Sequence, residues 1–124
     1  MLTLSRPRVL QIEWVCKVNL GHEEEFCQIF RKYQIATLNK EKERGSVLKY
    51  EVFQPGLHTS DDHRWSYRIV IYYRDANSPG PASGIEKELF PDRAAMDREE
   101  THRWDPTEDH WDLPIRQTDP RAAE

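Results

Sequence analysis

The sequence predicts an α+β fold whose elements run strand, helix, strand, strand, helix, strand. Three observations carry it. Apolar and polar residues alternate with period two over residues 8–18, 47–54 and 65–73, which marks three strands. Apolar residues recur at three- and four-residue spacing after Glu23, which marks an amphipathic helix between the first two strands. Pro91-Asp92 is suited to open a second helix after the third strand, since proline is favoured in a first helical turn. This order is the split βαβ, ferredoxin-like βαββαβ topology: a four-stranded antiparallel sheet with both helices on one face.

Taken in order, the first strand sets Leu10, Ile12, Trp14, Cys16 and Val18 against Val9, Gln11, Glu13, Val15 and Lys17. Asn19-Leu20-Gly21-His22 breaks it, and Glu23-Glu24-Glu25 places negative charge at the positive end of the next helix. Phe26, Ile29, Phe30, Tyr33 and Thr37 form the apolar stripe of a helix of about 18–20 residues. Its charged end, residues 40–44, meets the stop at Gly45. The second strand sets Leu48, Tyr50 and Val52 against Val47, Lys49, Glu51 and Phe53. It joins the third, which carries Trp65, Tyr67, Ile69, Ile71 and Tyr73, through a long hairpin loop over residues 55–63.

Prolines, glycines and serines make residues 75–84 a loop, and residues 85–90 a helical turn. The second helix runs to Trp104, where Asp105-Pro106-Thr107-Glu108 reads as a fresh N-cap. A short last strand then begins at Leu113-Pro114-Ile115. A single domain over residues 1–117 is expected, with a loose tail at 118–124.

Composition narrows the classes of partner. A net charge of −4 with acids and bases intermixed argues against nucleic acid, which requires a basic surface. No run approaches the roughly 20 apolar residues of a membrane span, and Met1 to Arg8 lack a signal-peptide pattern, so a cytoplasmic location is expected. Cys16 and Cys27 then read as reduced thiols. Only 37% of residues are hydrophobic while four Trp, five Tyr and four Phe carry the apolar side, a balance that suggests burial completed against a second subunit.

The element order, the His22-Glu23-Glu24-Glu25-Phe26 helix entry, and the segments Leu89-Phe90-Pro91-Asp92 and His110-Trp111-Asp112-Leu113-Pro114-Ile115 resemble the dimeric α/β-barrel superfamily. The likeness covers roughly residues 8–117 and is to uncharacterised members related to antibiotic-biosynthesis-monooxygenase-like and stress-responsive barrel proteins. It implies that two ferredoxin-like subunits close their bare sheet faces into a shared barrel, so the partner expected first is a second copy of the chain. Haem-degrading members use a second-helix histidine with a first-strand asparagine and a tryptophan. This chain has Gln11 and Glu13 on the first strand, Asn19 beyond its end and Trp104 just after His102. No tightly bound cofactor is therefore expected.

His102 is the candidate catalytic residue, a general base on the second helix. Glu13 and Arg68, charges inside strands, and Trp65 and Tyr67, strand aromatics, are the candidate ligand-binding residues. The run from Glu99 to Asp112 concentrates His102, Glu108 and His110 among acids, but no metal-ligand spacing occurs and Asp105-Pro106 interrupts the face. A solvated helix end is the reading there, and no metal site is expected. No nucleophile or phosphate-binding glycine motif is present.

Two functions fit. One is binding, or conversion, of a small aromatic or polyketide-like molecule in a cavity between helices and sheet. The other is a non-enzymatic stress-type or interaction protein whose open sheet face serves only dimerisation. The sequence does not distinguish enzyme from binding protein.

Overall fold

The computed structural model describes residues 9–57, 59–80 and 82–118. The readings made on the first eight residues, and on the tail beyond Thr118, lie outside them.

Strand β1, Leu10–Val18, is followed by helix α1, Glu23–Phe30, a π-helical turn, Arg31–Ile35, and helix α2, Ala36–Arg44. These last three form one continuous rod, because the backbone stays right-handed helical at each junction. The rod stops at Gly45, whose φ of 89° reverses the chain. Its N–H donates to the Lys42 carbonyl, and the Ser46 N–H to the Glu41 carbonyl, closing the orphan helix end. Strand β2, Val47–Phe53, and strand β3, Tyr67–Tyr73, form the predicted hairpin around a long loop that carries a short 3-10 turn, Asp61–His63.

Helix α3, Ala82–Leu89, is longer than the single turn expected at residues 85–90 and takes in part of the expected loop. Its Ile85 is buried, so packing extends it. Helix α4, Arg93–Trp104, is capped by the Asp92 carboxylate, which accepts from the Ala95 N–H at 3.1 Å.

The last element departs most from expectation. Strand β4 spans Thr107–Ile115, and no helix restarts at Asp105. Instead the Thr107 hydroxyl donates back to the Arg103 carbonyl at 2.8 Å, ending α4, while the Asn19 N–H donates to the Pro106 carbonyl at 2.8 Å. The open edge of β1 supplies a ladder for the whole of residues 107–115, and that outweighs the local capping signal. Pro114 is tolerated because β4 is an edge strand.

The sheet order is β2-β3-β1-β4 with every neighbouring pair antiparallel. Directly opposed residues share a face, so register divides the side chains cleanly. Trp14, Cys16 and Val18 with Tyr67, Ile69, Ile71 and Tyr73 face the helices, where Phe26, Phe30 and Leu38 complete the core. Phe26 stacks on both Phe30 and Tyr67 with centroids 5.7 Å apart.

No helix among the described residues lies over the opposite face. It carries Val15, Val70, Trp111, Leu113, Ile115 and Phe53 among Gln11, Glu13, Arg68 and Glu51. Cys16 and Cys27 are both free thiols, and burial pushes the Cys16 thiol up to about 11.

Candidate functional site

The π-helical turn places Phe30 and the side chains after it against the sheet on two flanks. Such turns widen one helical step and recur at functional positions. On one flank, between the rod, α4 and strands β1 and β4, lies a cleft of 230 Å³. Trp14, Phe30 and Trp104 supply its aromatic walls, and Gln34, Arg103, His110 and Asp112 its polar groups. Trp14 meets Phe30 edge-on at 6.2 Å, and the His110 ring lies 4.3 Å from that of Trp104.

Arg103 anchors this cleft. It is only 5% exposed, its Nε donates to Glu100 at 2.8 Å, and its guanidinium lies 4.4 Å from the Trp104 ring centroid. The same Glu100 accepts from Gln34 at 3.3 Å, so rod and α4 are tied together at the cleft wall. The buried cation is thus neutralised by a carboxylate and stacked on an aromatic face, which holds it in place.

On the other flank, between α1 and strands β2 and β3, lies an apolar bay of 300 Å³. Phe26, Phe30, Tyr50, Val52, Tyr67 and Ile69 line it, with Cys27 and Arg31 at the rim. Arg31 donates to the Cys27 thiol at 3.7 Å. Phe30 therefore separates two hollows, one apolar and one with convergent polar groups.

A third hollow, of 420 Å³, lies on the helix-free face between Glu13, Phe53, Gln54, Trp65, Arg68 and Val70. Three of the four residues proposed from sequence for ligand binding, Glu13, Trp65 and Arg68, are gathered here. The fourth, Tyr67, points to the helix side of the sheet into the apolar bay, as strand alternation requires.

His102 belongs to none of these. Its side chain is 57% exposed, it pairs with Glu25 of α1, and its Nδ1 lies 3.8 Å from Asp105. It borders a groove on the outer surface between α1 and α4, with Glu25, Gln28, Ile29, Lys32 and Glu99. Glu99 is held by Lys32 at 2.8 Å and by the Tyr33 hydroxyl, and Glu108 by Lys17 and Arg64, both at 3.3 Å. Among the described residues no three His, Cys, Asp or Glu side chains are arranged to hold a metal ion.

Arg103 and Gln34 were not singled out from sequence, and His110 and Asp112 were weighed only within the acidic run considered for a metal site. The signal was present: Trp111, Leu113 and Ile115 alternate with His110, Asp112 and Pro114, a period-two pattern outweighed by the capping motif before it.

No family model matches the sequence, and no curated protein matches it. Solved structures do match. A dimeric ferredoxin-like protein from an uncultured marine organism aligns over 93% of this chain and 95% of its own, at 8% identity and a TM-score of 0.60. A NIPSNAP family protein from Agrobacterium tumefaciens aligns over 96% and 94%, at 15% identity and a TM-score of 0.59. The chain has the ferredoxin-like fold. A candidate antibiotic biosynthesis monooxygenase from Nitrosomonas europaea aligns over 97% of this chain and all of its own, at 13% identity and a TM-score of 0.53. Identities this low carry the ferredoxin-like fold and leave the chemistry to the site itself.

Proposed function

We propose that the protein forms a homodimeric ferredoxin-like barrel and binds a flat small organic molecule, aromatic or polyketide-like, between helices and sheet without a tightly held cofactor. The observation that carries the ligand reading is the cleft of Trp14, Phe30, Trp104, Gln34, Arg103 and His110. Aromatic walls with a few polar groups at fixed positions suit a planar ring bearing oxygen substituents. Gln34 and Arg103 present donors to a carbonyl or phenolate oxygen, and His110 offers a group able to move a proton at the ring.

The homodimer is supported by the helix-free apolar face and by the dimeric protein of the same fold. Conversion of the ligand, as opposed to binding, rests on His110, since no other imidazole among the described residues lines the cleft.

Trp14 and Trp104 make the proposal measurable. Titration with a panel of hydroxylated mono-, bi- and tricyclic aromatics should quench tryptophan fluorescence and raise the melting temperature for at least one member. His110→Ala should weaken that ligand about tenfold or more while leaving the melting temperature of the free protein nearly unchanged, because His110 is exposed. Absence of binding across the panel would favour the second reading, an interaction protein that uses its sheet face for assembly alone.

A further inference from the structure

The helix-free face carries two charges that meet no opposite charge among the described residues. Glu13 lies between Leu113 of β4 and Val70 of β3, and Arg68 lies diagonally beside it, opposite Val15 and Phe53. Among the described residues no ion pair joins them, nor does either pair elsewhere. The Arg68 guanidinium lies 4.6 Å from the Trp65 ring centroid, and its Nε is shut off from solvent with no hydrogen-bond acceptor. Elsewhere on this face Glu51 accepts from the Tyr72 hydroxyl at 2.8 Å, and Lys49 sits 4.5 Å over the Tyr72 ring.

A sheet face that holds Val70, Trp111, Leu113 and Ile115 loses apolar area from water by being covered, but covering it also strips water from Glu13 and Arg68. A buried charge without a partner is strongly unfavourable, so whatever covers the face must answer a carboxylate and a guanidinium placed side by side. A second copy related by a two-fold axis does this, because in an isologous contact each patch meets itself in reverse.

We infer that Glu13 of each subunit pairs with the partner's Arg68 across the closed barrel, so that two reciprocal ion pairs bury the charges and set the register of the homodimer. This rests on the homodimer reading above and deepens it. The occupant of the hollow between Glu13, Trp65 and Arg68 is then the partner's side chains. The Nε left unpaired in one subunit gains its acceptor from the other. Two reciprocal pairs also reject neighbours that offer the same apolar surface with different charges.

The test is a charge exchange read by sedimentation equilibrium. Glu13→Arg alone opposes cations across the axis, and Arg68→Glu alone opposes carboxylates, so each variant should dimerise about 100-fold more weakly than the wild type. Mixed in equal amounts, the two variants should recover a heterodimer near wild-type affinity, since each new charge then meets its opposite. Circular dichroism of each variant establishes that it folds, and Glu13→Gln provides a milder change expected to weaken the dimer about tenfold. Recovery in the mixture supports the pairing, because loss of fold would not be repaired by a second misfolded chain. If the variants dimerise as tightly as the wild type, the charges face water or a small molecule inside the barrel and the pairing is overturned while the dimer stands. A monomeric wild type at micromolar concentration overturns both.

Discussion

Glu41 shows how a single side chain shapes the energetics of this fold. It sits on α2, is 2% exposed, and its Oε2 has no partner among the described residues. Burial, with the nearby Glu86 carboxylate adding to it, pushes its carboxyl up to about 7 from the usual 4.5. Between these values the folded chain keeps a proton that the unfolded chain releases, so this group's contribution is full below about pH 4.5 and is lost as pH rises through about 7. At one pKa unit per 1.36 kcal/mol the loss is at most about 3 kcal/mol. Glu41→Gln is therefore expected to raise stability at pH 8 by about 1–2 kcal/mol and to flatten the decline between pH 4.5 and 7, as read by urea unfolding at several pH values. His102 makes the contrasting case. Exposed and paired only at the surface, it is expected to change stability by no more than about 0.5 kcal/mol on replacement by alanine, with ligand affinity unaltered.

At the scale of elements, two termini control the helices. Gly45 has open space where a Cβ would stand, so the cost of Gly45→Ala comes from its φ of 89° alone. A loss of about 1 kcal/mol is expected, and Gly45→Asn should lose less, because asparagine tolerates the left-handed region. Asp92→Ala removes the acceptor of the Ala95 N–H and is expected to cost about 1 kcal/mol. Thermal unfolding of the three variants measures both effects. Strand β4 illustrates the opposite situation, where the local signal of Asp105-Pro106-Thr107-Glu108 is overridden by pairing with β1 from Val18↔Thr107 to Gln11↔Ile115. Capping is worth about 1 kcal/mol, whereas an unpaired β1 edge would leave a row of backbone donors and acceptors without partners.

The whole molecule presents one sheet face that no helix among the described residues covers. Leu113 and Phe53 are each 44% exposed there, while Val15 and Val70 on the same face are buried. Sedimentation is expected to show a dimer at micromolar concentration, and Leu113→Glu, which places a charge on that face, is expected to shift it toward monomer with little change in circular dichroism. No helix among the described residues is long and apolar enough to cross a membrane.

The strands at residues 10–18, 47–53 and 67–73, the rod with its Gly45 stop and the helix opened by Asp92 were determined by the sequence itself. Each rests on a local cause: period-two or helical spacing, a glycine that alone accepts positive φ readily, a carboxylate three residues from the N–H it accepts from. Glu13 and Arg68 were legible as charges inside strands, whereas strand alternation set Trp65 with Tyr67, and only the folded chain brought Trp65 beside Glu13 and Arg68. What only the tertiary structure decided is whatever depends on partners distant in the chain. Pairing with β1 turned residues 107–115 into a strand and delivered His110 to the cleft, while the packing of α4 on α1 turned His102 outward to Glu25. Tyr67 alternates with Arg68, so the two candidates lie on opposite faces of one sheet, and only the placing of the helices determined which of those faces is covered. Local sequence specifies which way a side chain points from its own element; what stands opposite it depends on contacts between segments tens of residues apart.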